Sequence, residues 1–242
     1  MKAEIKTYLI FGISKGLGKA IAKCLPNEND EVLGISRSKP DYLHEKMNIK
    51  WISTDLSNPK KSSEIIKANV GDKKVHYFIY NVGIWESKAF TESYSFEENS
   101  ESEISTLINT NITSCILNIK SVIENLKQSD NAKIILIGST WGLDNNNGKE
   151  VTFAATKFAL RGIVHSLREN LREYKIGVSI LNLGYLATEF DNGESIETVI
   201  EKTDGNLIPL QDVINALKFI ISTSNASCVK EINMPAMNDF NL

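Results

Sequence analysis

Residues 7–18 read Thr7-Tyr-Leu-Ile-Phe-Gly-Ile-Ser-Lys-Gly-Leu-Gly18. The first five of these residues form a short apolar run, which is typical of a buried strand in a parallel sheet. Glycines follow at positions 12, 16 and 18, and they let the backbone turn sharply into a helix predicted over 17–25. The segment therefore predicts the first half of a β-α-β unit.

Short apolar runs and helical stretches alternate along the rest of the chain. This alternation predicts a Rossmann-like α/β fold, a doubly wound parallel sheet of about seven strands with helices on both faces. The predicted strands are 7–11, 31–36, 50–54, 75–80, 133–137, 177–183 and 229–233. The predicted helices include 17–25, one that begins at Pro59, 101–127, 152–174 and one from Pro209 to about 222.

Composition indicates one ordinary globular domain, 1–242. Hydrophobic residues make up 42% of the 242 positions and only 5 are proline, which gives enough apolar surface for a sizeable core. The net charge of −3 is spread without basic runs, so neither nucleic acid nor a membrane is expected as a partner. No apolar window approaches the roughly 20 residues of a membrane helix and no signal sequence is predicted, so we expect a cytoplasmic protein.

Cysteine and histidine give no sign of a metal site. The 3 cysteines lack C-x-x-C spacing and are predicted to be buried free thiols, and the 3 histidines are dispersed along the chain. We therefore predict no catalytic metal.

The glycine-rich turn after the first strand predicts a dinucleotide site. Without side chains the backbone can approach a pyrophosphate, whose negative charge lies against the free N–H groups at the start of the helix. The alternative is a tight β-α turn that binds nothing. The G-x-x-x-G-x-G spacing resembles that of the short-chain dehydrogenase/reductase family, which implies cofactor contacts along the whole turn. The implied residues are Gly12, Ser14, Lys15, Gly16, Leu17 and Gly18.

The end of the second predicted strand indicates which dinucleotide would bind. Most NAD-specific folds place an acidic residue here to hold the ribose hydroxyls. This chain has Ser36 and Arg37 instead, and Lys15 lies in the glycine turn facing the same region. A hydroxyl and two cations favour a 2′-phosphate, because a guanidinium can bind phosphate through two parallel hydrogen bonds. NADP(H) is therefore the predicted cofactor, and the alternative is that both cations are solvated surface charges.

Three further segments resemble cofactor-binding segments of the same family. Asp55 and Leu56 follow the third predicted strand, and the resemblance implies a hydrogen bond between Asp55 and the adenine amino group. The Tyr-Asn-Val-Gly run that ends at Gly83 is similar to the family's Asn-Asn-Ala-Gly. Gly83 would let the cofactor lie close to the backbone, and Asn81 would brace the sheet. Thr188 ends a run similar to the family's Pro-Gly-x-x-x-Thr loop, and it would contact the cofactor's carboxamide or phosphates.

The segment Phe153-Ala-Ala-Thr-Lys157 resembles the family's Tyr-x-x-x-Lys signature with the phenol hydroxyl missing. In the family that hydroxyl is the proton donor, while the lysine holds the nicotinamide ribose and lowers the pKa of the tyrosine. The resemblance adds Asn111, which would hold a water in a proton relay, and Ser139, which would donate a hydrogen bond to the substrate oxygen. The predicted catalytic residues are thus Asn111, Ser139, Phe153 and Lys157.

Because position 153 lacks the tyrosine hydroxyl, the sequence leaves two functional predictions open. One is an NADP(H)-dependent oxidoreductase that reduces a carbonyl or oxidises an alcohol, slowed because positioned general-acid catalysis contributes about 10²- to 10⁴-fold. The other is a non-catalytic NADP-binding partner or regulatory subunit with the same fold. The sequence leaves open whether Phe153 is natural or a deliberate replacement of tyrosine, and whether another group donates the proton. Tyr185 is the candidate donor, and its alternative role is that of an aromatic wall.

Aromatic residues are expected beyond the carboxyl ends of the strands, where they suggest a flat-walled substrate pocket. Such walls suit an apolar ring, a polyketide-like chain or the apolar face of a sugar. The aromatic set is Trp85, Phe90, Tyr94, Trp141 and Phe190, and the predicted substrate residues are Trp85, Trp141 and Tyr185. A weakly patterned substrate loop is predicted over 188–207.

The resemblance also implies self-association. Family members commonly associate through the two long helices, so a homodimer or homotetramer is expected. An apolar stripe on the first long helix is compatible with this assembly. Its members are Ile112, Ile116, Ile119, Ile123 and Leu126.

Overall fold

The computed structural model describes residues 4–43, 48–144, 147–190 and 194–239, and within them it confirms the doubly wound α/β fold. Seven parallel strands form one sheet in the order β3-β2-β1-β4-β5-β6-β7. The strands are β1 Thr7–Phe11, β2 Glu31–Ser36, β3 Ile49–Ser53, β4 Tyr77–Tyr80, β5 Lys133–Ile137, β6 Gly177–Leu183 and β7 Glu231–Met234. The strand order reverses between β1 and β4. Ligands of such open sheets bind at the carboxyl ends of the strands beside this reversal.

Helices connect the strands and cover both faces of the sheet. They are α1 Gly16–Cys24, α2 Pro59–Val70, α3 Glu101–Ile108, α4 Ser114–Ser121, α5 Ile123–Lys127, α6 Val151–Leu171, α7 Ile196–Thr203 and α8 Leu210–Ser222. A π-helical turn, Asn109–Thr113, joins α3 to α4, and a 3-10 turn, Thr140–Gly142, follows β5.

Each face of the sheet buries an apolar core of its own. Along β1, Leu9 and Phe11 belong to one core and Tyr8 and Ile10 to the other, because successive side chains of a strand point to opposite faces. The first core contains residues of α2, α4 and α6, and the second contains residues of α1 and α8. Burial on both faces explains why the strand runs are apolar at nearly every position.

Most predicted strand boundaries agree with the structure. Four strands, 7–11, 31–36, 133–137 and 177–183, lie where they were predicted. The third begins and ends one residue earlier than 50–54, and the last is 231–234 rather than 229–233. The fourth begins at Tyr77 rather than 75, because the Val75 amide bonds to the Asn125 carbonyl at 3.1 Å instead of to a neighbouring strand.

The predicted helix 101–127 is interrupted twice, which corrects the prediction of one long helix. The first interruption is the π-helical turn, an arrangement frequent at functional sites, and it contains Asn111. The second lies at Val122, whose φ of −120° and ψ of 15° are not helical. Beyond it Asn125 Nδ2 donates to the carbonyls of Gly71 and Lys73, both at 2.8 Å, and these bonds fix α5 against the loop after α2.

The apolar stripe expected to mediate self-association does not form one exposed surface. Ile119 and Leu126 are buried in the core of the sheet, whereas Ile116 is exposed. The helical period that would align these residues is broken at the π-helical turn and again at Val122. Assembly therefore stays a prediction.

Two other predictions concern the surface of the chain. Of the three cysteines predicted to be buried, only Cys115 is buried, while Cys24 is half-buried and Cys228 is exposed. Across the described ranges, no helix combines the length and the apolar character that crossing a membrane would take.

Candidate functional site

The glycine turn lies at the carboxyl end of β1, against the end of β4. Gly12 has a φ of 80° and Gly16 a φ of 51°, in the left-handed region that favours glycine. A Cβ at Gly12 would lie 2.2 Å from the Asn81 carbonyl oxygen, and a Cβ at Gly18 would lie 1.8 Å from the Gly12 carbonyl oxygen. Neither position has room for a methyl group. Asn81 Nδ2 donates to the Gly12 carbonyl at 3.5 Å, so this side chain braces the turn against β4.

The same turn faces the loop that follows β6. A Cβ built at Gly16 would lie 3.3 Å from Thr188 Cγ2, so the two predicted cofactor-binding segments are neighbours. Ser14 is half-buried and Lys15 exposed in the turn, while Leu17 is buried beneath it. Helix α1 begins here, and the side chain of Lys15 does not cap it. Its first amides can therefore bind an anion.

The residues predicted to bind the 2′-phosphate have different environments. Lys15 and Arg37 are exposed, but Ser36 is buried. The Ser36 hydroxyl donates to the Ser38 carbonyl at 2.8 Å and accepts from Trp51 Nε1 at 3.0 Å. These bonds occupy the hydroxyl proton, so Ser36 fixes the end of β2. The two cations remain available for a phosphate.

Asp55 and Leu56 form the turn after β3. Asp55 is exposed, and its Oδ1 accepts from the Ser57 amide at 3.0 Å. Leu56 is buried, and its carbonyl accepts from the Ser114 hydroxyl at 2.7 Å. These bonds hold the turn, and the adenine contact implied by the resemblance stays a prediction.

Lys157 and Phe153 share one face of α6, as their spacing predicts. Lys157 Nζ lies 5.4 Å from the Phe153 ring centroid and donates to the Ile137 carbonyl, at the end of β5, at 3.2 Å. Gly83 adjoins them, since a Cβ there would lie 2.9 Å from Lys157 Nζ. Burial lowers the pKa of Lys157 to about 8. In the described part of the chain, no carboxylate forms an ion pair with this lysine.

Ser139 lies directly after β5, on the side of the sheet where Lys157 is found. Its hydroxyl oxygen accepts from the Trp141 amide at 3.2 Å and so begins the 3-10 turn. The hydroxyl proton is donated to no residue that the structure describes. Ser139 can therefore donate a hydrogen bond to an oxygen in the cleft.

Asn111 is fully buried and has protein partners at both polar atoms. Its Oδ1 accepts from the Ile84 amide at 2.9 Å, and its Nδ2 donates to the Ile84 carbonyl at 2.8 Å and to Thr156 Oγ1 at 3.0 Å. The side chain thus ties the segment after β4 to α6. The water-holding role implied by the resemblance stays a prediction.

The start of α6 is capped by the loop 84–99. Glu86 is fully buried, and its Oε1 accepts from the amides of Thr152 and Phe153 at 2.9 and 3.1 Å. Tyr94 Oη accepts from the Val151 amide at 3.0 Å. The first amides of a helix lack intrahelical acceptors, so these side chains supply them. The loop and the start of the helix are therefore one connected unit.

Glu150 makes a second connection between this loop and the helix. Its Oε1 accepts from the Phe90 amide at 2.8 Å, and its Oε2 accepts from Trp141 Nε1 at 2.7 Å and from the Lys149 amide at 3.1 Å. Burial raises the pKa of the Glu150 carboxyl, but these bonds outweigh it and hold the pKa below its ordinary value.

Sequence reasoning missed both glutamates. A signal was present, since the predicted helix 152–174 is not preceded by a Ser, Thr, Asp or Asn that could cap it. Another acceptor was therefore required. The acceptor is Glu86, which the sequence offered no reason to place there, whereas the side chain of Glu150 caps no amide of α6.

Five aromatic rings form a cluster with Phe90 at its centre, and two of its members, Trp141 and Phe153, contact Ser139 and Lys157. The Phe90 ring centroid lies 5.7 Å from Trp85, 5.4 Å from Phe153, 5.5 Å from Trp141 and 6.0 Å from Tyr185, and all four contacts are edge-on. Phe90 has a φ of 63°, which costs a non-glycine residue about 1–3 kcal/mol. The bond from its amide to Glu150 helps to hold that conformation.

The structure separates the other predicted aromatic residues from this cluster. Tyr94 caps α6 instead, and Phe190 contacts Lys202, whose Nζ lies 5.5 Å from its ring. The predicted substrate loop 188–207 contains α7, and its residues 191–193 lie outside the described residues.

Tyr185, the candidate alternative donor, packs against Trp141 with a ring separation of 5.5 Å. Burial raises the pKa of its hydroxyl, and the negative charges of Glu150 and Asp239 raise it further. Phe90 lies between Tyr185 and Phe153 in the cluster. These contacts suit an aromatic wall better than a group activated by the lysine.

In the ranges the structure covers, no group of three His, Cys, Asp or Glu side chains is arranged to hold a metal ion.

Comparisons with known proteins agree with the fold. A family model described as short chain dehydrogenase matches residues 6–198. The chain is 26% identical over 237 residues to the 3-oxoacyl-acyl-carrier-protein reductase of Vibrio cholerae, with 93% of each chain covered. It is 32% identical over 205 residues to the corresponding reductase of Buchnera aphidicola, covering 81% of this chain and 79% of the relative. A solved tyrosine-to-phenylalanine variant of ElxO with NADPH bound has a TM-score of 0.76 at 20% identity, with 95% and 97% covered.

Proposed function

Because this chain belongs to the short-chain dehydrogenase family, we propose that it is an NADP(H)-dependent oxidoreductase that reduces a carbonyl group, or oxidises an alcohol, on a small organic substrate. Its turnover is slow, because Phe153 stands where the family signature has the proton-donating tyrosine. The candidate site keeps the serine, the lysine and the glycine turn of that signature, each at the carboxyl edge of the sheet.

The buried ammonium of Lys157 carries the proposal. A buried charge is costly unless hydrogen-bonding partners surround it. Here one carbonyl, that of Ile137, accepts from Nζ, and no carboxylate pairs with it in the described residues. The hydroxyls of a nicotinamide ribose would accept the remaining N–H groups. The close approach of Gly83 to Nζ gives that ribose a position without an intervening side chain.

The other half of the cleft fits the phosphates of the cofactor. Gly12 and Gly18 leave no side chain between the turn and the first amides of α1. Lys15 and Arg37 are both exposed, and in the described residues neither forms an ion pair with a carboxylate. Two cations near the adenosine ribose favour a 2′-phosphate, so NADP(H) fits better than NAD(H).

Ser139 and Lys157 have different roles in the proposed reaction. NADPH, when bound, supplies the hydride. Ser139 donates its unused proton in a hydrogen bond to the substrate oxygen and stabilises the negative charge that develops there. Lys157 positions the cofactor ribose. Since Phe153 has no proton to give, the alkoxide takes its proton from water.

A non-catalytic NADP-binding protein is the second candidate. Phe153 favours it, because its ring is 6% exposed and packs against the rings of Phe90 and Trp85. The family signature is then kept for binding alone. The free hydroxyl proton of Ser139 favours the oxidoreductase, since a pure binding site does not need it.

Single-turnover NADPH oxidation separates the two candidates. The native chain and Phe153→Tyr are mixed with NADPH and a panel of carbonyl compounds, including 3-oxoacyl thioesters and aryl ketones. We expect Phe153→Tyr to be about 10²- to 10⁴-fold faster than the native chain. Phe158→Tyr is the matched control, since it adds a phenol to an exposed position of α6 and should leave the rate unchanged. No NADPH oxidation by either the native chain or Phe153→Tyr, with any compound of the panel, would favour the binding protein.

A further inference from the structure

The ring of Phe90 fills the space between the two walls of the aromatic cluster. On one side it meets Trp85 and Phe153, the latter over Lys157, and on the other side it meets Trp141 and Tyr185. Interplanar angles of 63° to 90° show that each neighbour meets it edge-on. This arrangement is the one by which aromatic walls hold an aromatic guest.

The backbone holds Phe90 inward. Its φ of 63° is one that side-chain-bearing residues rarely adopt. The Phe90 amide bonds to Glu150 Oε1, and the preceding amide, that of Ala89, bonds to the Glu86 carbonyl at 2.9 Å. Both glutamates are anchored at the start of α6. Hydrogen bonds of the backbone therefore fix the position of the Phe90 ring, which distinguishes it from an unconstrained hydrophobic side chain at the tip of a loop.

We propose that Phe90 determines the substrate class of this site, its ring standing in the free protein where a planar aromatic group of the substrate binds. The inference rests on the proposed function, because it assumes that the substrate carbonyl lies between Ser139 and the cofactor. An aryl carbonyl compound replaces the ring and makes the same edge-on contacts with Trp85, Trp141 and Tyr185. A saturated chain of equal length fills the volume without those contacts.

Removing the ring tests the proposal without turnover. Phe90→Gly leaves the backbone conformation accessible, since glycine adopts positive φ freely, and Phe90→Ala is the second variant in case the first is unstable. The probes are acetophenone and 2-octanone, two methyl ketones of eight carbons each. Binding is measured by calorimetry with NADP⁺ present, because an oxidised cofactor cannot reduce a ketone.

We expect both variants to bind acetophenone about tenfold more tightly than the native chain, because an apolar cavity lined by rings takes up a benzene-sized guest. The gain for 2-octanone should be about threefold or less. Phe96→Ala is the matched control, because it removes an exposed ring from the same loop and should change neither affinity. Phe90→Leu should also gain little, because its side chain still fills the space.

Two results would overturn the inference. One is an unchanged affinity for acetophenone in both variants, and the other is an equal gain for the two ketones. Calorimetry with NADPH alone, on the native chain, tests the proposed function separately. If the native chain did not bind NADPH, the proposed oxidoreductase function would be ruled out. If it bound NADPH but the variants bound acetophenone no more tightly, only the proposed role of Phe90 would be ruled out.

Discussion

At the cofactor end of the cleft, a backbone turn lies against two strands where glycine leaves no side chain, whereas at the substrate end five aromatic rings and two buried glutamates fill the space. The first end is made from consecutive residues, chiefly 12–18. The second end is made from four separated segments, the loop 84–99, the turn after β5, the start of α6 and the loop after β6.

Because the two ends are built in different ways, they should fail independently. A close backbone approach tolerates almost no added atom, because neither strand can move away. A cluster of side chains instead shares its contacts among many partners, so the loss of one contact is partly absorbed. An atom added to the glycine turn should therefore have a severe and local effect, whereas the effects of changes at the substrate end should be graded.

Gly18→Ala should have the largest effect. The added methyl carbon would lie 1.8 Å from the Gly12 carbonyl oxygen, so the turn must shift. We expect the free energy of unfolding to fall by about 3 kcal/mol or more and NADPH binding to be lost. Thermal denaturation and calorimetry with NADPH measure both quantities.

Gly162→Ala is the matched control for that change. Gly162 lies in the middle of α6, and in the described residues no heavy atom other than nearby atoms of the helix itself lies within 4 Å of a Cβ built there. Alanine is the better helix former, so this variant should be more stable by about 0.5–1 kcal/mol. A Gly18→Ala variant as stable as Gly162→Ala would contradict the close packing of the turn.

Lys157→Met should have the next largest effect, and it should separate stability from binding. The pKa of Lys157 is about 8 in the folded chain against 10.5 ordinarily, so the buried ammonium destabilises the fold at neutral pH by about 3 kcal/mol. Loss of the bond to Ile137 costs about 1 kcal/mol, so we expect a net gain of about 2 kcal/mol at pH 7. NADPH affinity should nevertheless fall at least about tenfold, as calorimetry can measure.

The gain in stability of Lys157→Met should depend on pH, because burial lowers the pKa of Lys157 in the folded chain. Below pH 8 both the folded and the unfolded chain carry the proton, so the destabilisation is complete. As pH rises from about 8 to 10.5, only the unfolded chain keeps its proton, and the native protein gains stability relative to Lys157→Met. Urea denaturation of both proteins across this range measures the difference. A gain in the variant that does not change with pH would contradict the buried ammonium.

Glu150→Gln tests the substrate end. The carboxylate accepts three N–H groups, whereas an amide offers one oxygen and turns two N–H bonds toward the remaining donors. We expect a loss of about 1.5 kcal/mol in the free energy of unfolding, with NADPH affinity unchanged. Glu173→Gln, an exposed glutamate beyond the other end of α6, is the control for the change of charge. A large loss of NADPH affinity in Glu150→Gln would contradict the independence of the two ends.

The cofactor end could be predicted from the sequence because its geometry is local. The apolar run of β1, the glycines at 12, 16 and 18, and the position of Lys157 one helical turn after Phe153 of the substrate end each depend on residues close in sequence. Periodicity and turn chemistry therefore fixed their placement. Ser36 is the exception at this end. Its bond with Trp51, which lies on another strand, could not be predicted from neighbouring residues.

At the substrate end, the sequence predicted the aromatic residue types but not their conformations or contacts. Its aromatic residues were recognisable as pocket walls, but nothing local indicates that Phe90 adopts a positive φ or that Tyr94 caps a helix 57 positions away. The buried glutamates were missed for the same reason. Glu86 accepts from amides at the start of α6, and Glu150 accepts from the Phe90 amide, so each bonds to a segment distant in sequence. The break of the helix 101–127 also depends on a distant contact, that of Asn125 with the loop after α2.

Arg37→Met should have the smallest effect and should refine the description of the cofactor end. The exposed guanidinium is expected to bind the 2′-phosphate, so its removal should lower the preference for NADPH over NADH about tenfold, or about 1.4 kcal/mol. Ser36→Ala should instead cost about 1 kcal/mol of stability, because it removes the bonds to Ser38 and Trp51, and leave the preference nearly unchanged. Lys39→Met is the control for loss of an exposed positive charge nearby. If Ser36→Ala altered the preference as strongly as Arg37→Met, the hydroxyl would have to exchange its protein partners for the phosphate, and even this backbone-built end would depend on side-chain rearrangement.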